Sequence, residues 1–150
     1  MNKILLKSKR FLEIARQIEQ WSKDPRPKVG AVLVGNKDQI ISQGFNGFPR
    51  KIEDTPERLN DRTTKNKLVI HAEANAVYNA IFNGASTDGA TIYVSGLPCC
   101  HECAKVIIQT GISRVVMDSN PEDSPEPWDE SGKLALELFR EAGVEFEIID

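Results

Sequence analysis

The sequence predicts a three-layer α/β/α domain around a central five-stranded mixed sheet, and three observations support this fold class. An apolar hairpin in the first third of the chain is followed by helical and extended segments in alternation, which is the order expected of an α/β domain. The later strand–helix–strand units are long enough for parallel crossovers, whereas the hairpin pairs its strands antiparallel. The chain has 150 residues, enough for one core, so residues 1–150 are expected to form a single domain.

The first part of the chain predicts a helix followed by the hairpin. Residues 4–21 repeat apolar side chains at helical spacing, and the prolines within Ser22–Pro27 end this helix. The apolar run 29–34 predicts a buried strand, 35–38 a turn and 39–44 the returning strand, after which 45–50 form a loop. The predicted apolar face of the helix consists of Phe11, Ile14, Ala15, Ile18 and Trp21.

Residues 51–67 form a polar, charged stretch that is too long for a simple turn. Long connections in compact domains commonly act as covers over functional sites. A solvated surface loop with one helical turn explains the same composition equally well. Both interpretations stay open from the sequence.

The second half of the chain alternates between helices and strands. Helices are predicted over His71–Phe82 and Cys100–Thr110, each followed by a glycine that ends it. A last helix over 134–142 would present Leu134, Leu138 and Ala142 on one face, and Trp128 is expected to pack beneath it. Strands are predicted over 91–95, 113–118 and 144–149, with an irregular acidic connection over 120–127.

Composition excludes several classes of protein. The net charge is −3, which argues against a surface that coats nucleic acid. No apolar run is long enough for a membrane helix, and residues 1–7 lack the layout of a signal peptide. Two of the three cysteines stand in C-x-x-C spacing, which favours a metal site over a disulfide framework. A reducing cytoplasmic compartment is the location expected for such a protein.

Two short segments carry the chemistry. His71 and Glu73 form H-x-E, and Pro98–Cys103 forms P-x-C-x-x-C. One imidazole and the thiolates of Cys100 and Cys103 suit Zn²⁺, and three protein ligands leave a fourth position for water, as in catalytic zinc sites. The offset of Glu73 from His71 turns its carboxylate away from the metal, where it can act as a general acid and base.

Other assignments within these segments remain open. Cys99 could replace Cys100 as a ligand, which would give C-x-x-x-C spacing. His101, between the two cysteine ligands, is interpreted as either a solvent-facing or a locally hydrogen-bonding residue. Since both segments precede helical runs, the predicted ligands lie at helix N-termini, where the helix dipole favours a thiolate.

Four segments together resemble the cytidine and deoxycytidylate deaminase superfamily, most closely the dCMP deaminases, over roughly residues 22–116. Residues 22–32 resemble the first loop and strand of that family, and Gly44–Pro49 resembles its G-Y-N-G-x-P motif. His71–Ala76 matches H-A-E-x-N-A, and Cys100–Lys105 matches C-x-x-C-A-K. The zinc-site pattern alone is shared by all zinc-dependent nucleobase deaminases.

The resemblance implies a reaction and a set of site residues. One Zn²⁺ per subunit, held by His71, Cys100 and Cys103, would activate water for attack on C4 of dCMP, giving dUMP and ammonia. Glu73 would shuttle the protons, and Asn46 would hydrogen-bond the sugar. The pocket for the base would be shaped by Val29, Gly30, Ala31 and Ala72.

The resemblance also implies assembly and regulation. Members of the family are commonly hexamers, activated by dCTP and inhibited by dTTP. A regulatory nucleotide, with Mg²⁺, would bind near a subunit interface at Gly44, Phe45, Asn46 and Gly47.

This sequence departs from the family pattern at three places. Phe45 replaces the usual Tyr, Cys99 replaces a second proline, and residues 118–121 lack a Tyr that several relatives place near the substrate phosphate. The phosphate could instead meet Arg26, Lys28, Arg50, Lys65 or Lys67. The alternatives left open are another small substrate (dCTP, cytidine, deoxycytidine or a purine base), a base in tRNA or single-stranded DNA, and a zinc module without catalysis.

Overall fold

The computed structural model describes residues 2–149. In chain order its helices and strands are α1 (Lys3–Glu19), β1 (Gly30–Val34), β2 (Ile40–Phe45), α2 (Pro56–Asn60), α3 (Arg62–Leu68), α4 (Ala72–Phe82), β3 (Thr91–Ser95), α5 (His101–Gln109), β4 (Arg114–Met117), α6 (Trp128–Ala142) and β5 (Glu145–Ile148). A short 3₁₀ helix, Pro121–Asp123, precedes α6. Among the described residues, no helix is both long and apolar enough to span a bilayer.

The five strands form one mixed sheet in the order β2-β1-β3-β4-β5. The hairpin partner β2 and the central strand β3 both run antiparallel to β1, whereas β4 and β5 continue the sheet in parallel. The parallel pairs are connected through α5 and α6, because a parallel pairing needs a crossover. The predicted five-stranded mixed sheet is confirmed.

Helices cover both faces of the sheet, which gives the predicted three layers. Along β1, alternate residues point to opposite faces. Val32 and Val34 belong to the core cluster beneath α1, and Ala31 and Leu33 to the cluster beneath α4, α5 and α6.

The predicted buried faces of the first and last helices need correction. In α1 the buried residues are Ser8, Leu12, Ala15 and Ile18, whereas Ile14 and Trp21 are exposed. The helix α6 begins at Trp128 rather than at Leu134, and it buries Gly132, Ala135 and Phe139 while Leu134 and Ala142 are exposed. A Cβ at position 132 would lie 2.8 Å from the ring of Pro121, so this face packs through small side chains.

The stretch 51–67 holds two short helices instead of a loop with one helical turn. The Thr55 hydroxyl accepts a hydrogen bond from the Arg58 amide at 3.2 Å, and Pro56 occupies the first turn of α2. A threonine cap followed by proline is a recognised helix start. Neither α2 nor α3 contains a buried residue, so both lie on the surface of the molecule.

Candidate active site

Three side chains that could hold a metal meet where two helices begin. His71 is the N-cap of α4, Cys100 is the N-cap of α5, and Cys103 lies one turn into α5. The His71 Nδ1 lies 3.3 Å from the Cys100 Sγ and 3.5 Å from the Cys103 Sγ. All three donor atoms lie within 4.8 Å of one another. The structure therefore brings together three predicted ligands that lie in two separate segments of the sequence.

This donor set fits zinc. One imidazole nitrogen and two sulfurs are the ligand types that Zn²⁺ prefers, and three of them suit a catalytic site. Cys99 is not part of the group. Its side chain is 1% exposed, and its thiol lies within hydrogen-bonding reach of both the Cys100 carbonyl, at 3.5 Å, and the Glu73 carboxyl.

The three donors perturb one another's pKa values. Hydrogen bonds from Cys103 and His71 lower the pKa of Cys100 to about 4, and the Cys103 amide donates to its sulfur at 3.4 Å. The hydrogen bond to Cys100 raises the pKa of His71 to about 9. The hydrogen bond to Cys100 and burial raise the pKa of Cys103 well above its usual value. At neutral pH Cys100 is therefore a thiolate, His71 carries a protonated imidazole and Cys103 is a thiol.

Zinc binding at pH 7 is expected to release about two protons, one from His71 and one from Cys103, because ligation requires the deprotonated forms. Both pKa values lie above 7, so mass action weakens zinc binding by about 100-fold for each unit that the pH falls. Calorimetric titration of metal-free protein in buffers of different ionisation enthalpy measures the proton count. A count near zero would contradict the charge states described for the group.

Glu73 lies beside the donor group on the first turn of α4 and is 4% exposed. Burial raises the pKa of its carboxyl to about 7, and the negative charge of Cys100 adds to this shift. A carboxyl that titrates near neutral pH can both accept and donate a proton during a reaction. The position and pKa of Glu73 therefore suit the predicted general acid and base.

A cavity of about 630 Å³ opens over this group. That volume lies in the range of small-ligand sites. His71, Ala72, Glu73 and Cys100 form one part of its wall. The rest comes from separate segments, which contribute Asp24, Pro25, Arg26, Pro27, Val29, Asn46, Leu59, Asn60, Arg62, Lys65, Asn66, Val69, Leu97, Pro98, Glu126, Pro127 and Trp128.

The residues predicted to shape the base pocket divide into two sets. Val29 and Ala72 line the cavity. Gly30 and Ala31 belong to β1 and are not among the lining residues. A Cβ at position 30 would lie 2.1 Å from the Ala15 carbonyl oxygen, so this glycine serves the close packing of α1 on the sheet.

Asn46 lines the cavity while its amide organises the neighbouring loop. Its Oδ1 accepts from the Val29 amide at 2.9 Å, and its Nδ2 donates to the Pro27 carbonyl at 2.9 Å and to Asp24 at 3.4 Å. The two N–H donors are thus used within the protein, and Oδ1 keeps one further acceptor position. Contact between Asn46 and a sugar hydroxyl stays a prediction.

The loop predicted to bind a regulator is anchored on α4. A Cβ at Gly44 would lie 2.3 Å from the Ala76 nitrogen, so only glycine allows β2 to approach the helix this closely. The Asn75 side-chain Nδ2 donates to the Phe45 carbonyl at 2.8 Å, and Gly47 pairs with Ile70. The H-A-E-x-N-A motif therefore fixes this loop, and its regulatory role stays a prediction.

The structure narrows the candidates for a phosphate contact. Arg26 and Lys65 line the cavity, whereas Lys28, Arg50 and Lys67 do not. The Lys28 ammonium instead bonds the Ser22 carbonyl, and the Arg50 guanidinium stacks on the Phe82 ring at 4.7 Å.

Arg62, Glu126 and Trp128 are wall residues that the sequence did not identify. The expectation that Trp128 packs beneath the last helix is wrong, since it begins α6 and lines the cavity. A usable signal was its position after β4, because ligands of α/β sheets bind outside the carboxyl ends of parallel strands. For Arg62, the signal was the alternative interpretation of 51–67 as a cover.

His101 bonds Ser131 at 2.8 Å and lies outside the donor group, as predicted.

Comparison with known proteins agrees with this geometry. Residues 6–119 match the family model of the cytidine and deoxycytidylate deaminase zinc-binding region. The human deoxycytidylate deaminase is 40% identical over 144 residues, covering 91% of this chain and 75% of that protein. An uncharacterised deaminase of Aliivibrio fischeri is 38% identical over 138 residues, covering 92% of this chain and 90% of that protein. The crystal structure of the dCMP deaminase from cyanophage S-TIM5 in complex with dCMP and dUMP is 25% identical and superposes with a TM-score of 0.77, covering 99% of each chain.

Proposed function

Since the chain belongs to the cytidine and deoxycytidylate deaminase family, we propose that it hydrolyses dCMP to dUMP and ammonia. The observation that carries this proposal is the buried Glu73 beside a three-donor group, at a cavity large enough for a nucleotide. Relatives named as deoxycytidylate deaminases support the choice of substrate. One zinc ion per chain, held by His71, Cys100 and Cys103, completes the site.

The residues of this chain have distinct roles in the proposed reaction. When bound, the zinc ion supplies a Lewis acid that makes water nucleophilic at neutral pH. Glu73 takes the proton that water gives up on adding to C4 and delivers it to N3 of the ring. It then takes the remaining proton from the hydroxyl that water leaves on C4 and delivers it to the 4-amino group, so that the C4–N4 bond breaks as the C4=O bond forms and ammonia leaves. The pKa of Glu73, about 7, lets the carboxyl pass through both protonation states.

Ammonia release by zinc-loaded protein tests the function directly. We would compare dCMP with CMP, dCTP, deoxycytidine, cytosine and guanine. Faster turnover of dCMP than of the other compounds is the expected result. Turnover of another compound without turnover of dCMP would reject the substrate, and no turnover of any compound would reject the enzyme.

The 5′-phosphate of dCMP is assigned to Arg26 and Arg62, two exposed side chains that line the cavity. Among the ion pairs of the described residues, neither guanidinium has a carboxylate partner, whereas Lys65 is paired with Asp24. The acidic side chain of Glu126 makes the α6 side of the cavity less favourable for a phosphate.

Arg62→Gln is expected to lower kcat/KM for dCMP by about 10- to 100-fold, the equivalent of one charge-assisted hydrogen bond. Its effect on deoxycytidine, which lacks the phosphate, should stay within about twofold. The matched control is Arg58→Gln, because Arg58 bonds the Glu53 carbonyl and does not line the cavity. Equal losses on the nucleotide and the nucleoside would remove Arg62 from the phosphate site.

Assembly and regulation form the further part of the proposal. The resemblance of Gly44–Pro49 to the G-Y-N-G-x-P motif supports a site there for dCTP and dTTP, with Mg²⁺. Exposed apolar side chains of α4 support a homo-oligomer, which we propose to be a hexamer acting in the cytoplasm; they are Tyr78, Ile81 and Phe82. Repeating the assay with each triphosphate, and light scattering of the protein, tests both points.

A further inference from the structure

The cover, which is the segment 56–68 formed by α2 and α3, contributes one wall of the cavity. Leu59, Asn60, Arg62 and Lys65 of the cover line that cavity. Since neither helix of the cover buries a residue, apolar packing holds it only weakly to the sheet. Specific polar contacts must therefore fix its position over the site.

One such contact is a shielded ion pair between the cover and the opposite wall. The Lys65 Nζ lies 3.0 Å from the Asp24 Oδ1, and their side chains are only 12% and 3% exposed. The same Nζ donates to the Arg26 carbonyl at 2.7 Å. Two of the three ammonium donors of Lys65 are thus used within the protein.

Asp24 connects this ion pair to the loop that faces the cover across the cavity. Its Oδ1 accepts from the Arg26 amide at 2.9 Å, and its Oδ2 accepts from the Asn46 side chain at 3.4 Å. Asn46 in turn holds the Val29 amide and the Pro27 carbonyl. A displacement of Lys65 would therefore disturb the cover, the loop 24–29 and Asn46 together.

We propose that Lys65 and Asp24 form a clasp that closes the cover over the cavity and sets the position of Asn46. Lys65 is then a positioning residue, and the substrate phosphate does not bind to it. This inference rests on the proposed function for its activity measurements, and on the fold alone for its exchange measurement.

A second ion pair joins the same two segments and supplies a matched control. Lys23, next to Asp24, lies 3.3 Å from Asp54, which precedes the cover. Their side chains are 70% and 38% exposed, so water screens this pair. Any general effect of losing a charge between these segments should appear when Lys23 is replaced.

The activity experiment compares Lys65→Met, Asp24→Asn, the double variant and Lys23→Met on both dCMP and deoxycytidine. Lys65→Met is expected to lower kcat/KM by about 10- to 100-fold on deoxycytidine, since misplacement affects every reaction in the site, and by at least that factor on dCMP, because the cover also carries Arg62. The double variant should be no worse than the worse single variant, because one interaction is lost only once. Lys23→Met should stay within about twofold of the wild-type protein.

Two results of that experiment would overturn the clasp. A loss confined to dCMP would show that Lys65 does not set the position of Asn46, because Asn46 is proposed to contact the sugar that both substrates share. Losses that multiply in the double variant would show that Lys65 and Asp24 act separately.

Hydrogen exchange of the cover amides tests the clasp without any substrate. Faster exchange over 56–68 in Lys65→Met than in Lys23→Met, with α4 still protected, is the expected pattern. Unchanged exchange in the cover would reject the clasp. If the wild-type protein deaminates none of the cytosine compounds, the proposed function fails while this measurement still decides the inference.

Discussion

Replacing Glu73 with Gln is expected to lower the turnover of dCMP by about 10²- to 10⁴-fold, the range for loss of a general acid and base. We expect the upper end because the same carboxyl serves two successive proton transfers. No other carboxylate of the described cavity wall is placed to substitute, since Asp24 is bound by Lys65 and Glu126 lies on a separate segment. Gln keeps the shape of the side chain, so zinc content and thermal unfolding should remain close to wild type.

The matched control for this change is Glu102→Gln. Glu102 lies between the two proposed cysteine ligands in sequence, yet its side chain is 65% exposed and pairs with Lys105 at 2.9 Å. Its replacement should leave turnover within about twofold, since an exposed pair of this kind contributes little. Ammonia release, measured together with bound zinc, separates the two variants. Retention of more than a tenth of wild-type turnover by Glu73→Gln would reject the proposed mechanism.

Replacing Cys103 with Ala is expected to abolish both stoichiometric zinc binding and turnover. The variant keeps only His71 and Cys100 as donors, whereas catalytic zinc sites use three protein ligands. Metal analysis after dialysis should give about one zinc per chain for the wild-type protein and close to none for the variant.

Cys99→Ala provides the matched control for zinc binding, because Cys99 is buried and is not one of the three donors. It should keep its zinc while losing about 1 kcal/mol of unfolding free energy, the value of one small buried group, and any change in its turnover reflects the lost hydrogen bond between the Cys99 thiol and Glu73. Loss of zinc from Cys99→Ala to the same extent as from Cys103→Ala would restore the C-x-x-x-C alternative.

The strands and the donor group were predictable because their signals are local. All five residues of β1 are buried, and such a strand appears in the sequence as an uninterrupted apolar run. His71, Cys100 and Cys103 each lie at or near the start of a helix, and the short spacings H-x-E and C-x-x-C fix their local geometry. These local signals do not predict that α4 and α5 begin side by side, which depends on the fold as a whole.

The buried face of α6 was not predictable from apolar periodicity. Of the predicted stripe, Leu138 packs against the core but Leu134 is exposed, and the buried residues of the helix are Gly132, Ala135 and Phe139. Small residues allow close approach to Pro121 and Pro98, and the free energy of that packing outweighs the exposure of one leucine. Such a choice depends on the partner surface, which periodicity does not describe.

The cavity wall was only partly predictable, because its residues come from segments far apart in the chain. Arg62 and Trp128 lie 66 positions apart, and neither belongs to a repeating pattern. Gly30 and Ala31, which the resemblance placed in the base pocket, lie in β1 and are not among the residues that line the cavity, so their part in the pocket stays a prediction.

The metal donors and Glu73 begin helices that pack on the sheet, whereas much of the cavity wall comes from connections on the surface. This separation offers a practical route to altered enzymes. Libraries confined to residues 25–27, 56–64, 66–68 and 126–128 would vary the surroundings of a new base or sugar while keeping the groups proposed for catalysis and the clasp of Asp24 and Lys65. Exchange of these segments with those of a relative is therefore a rational way to transplant substrate preference.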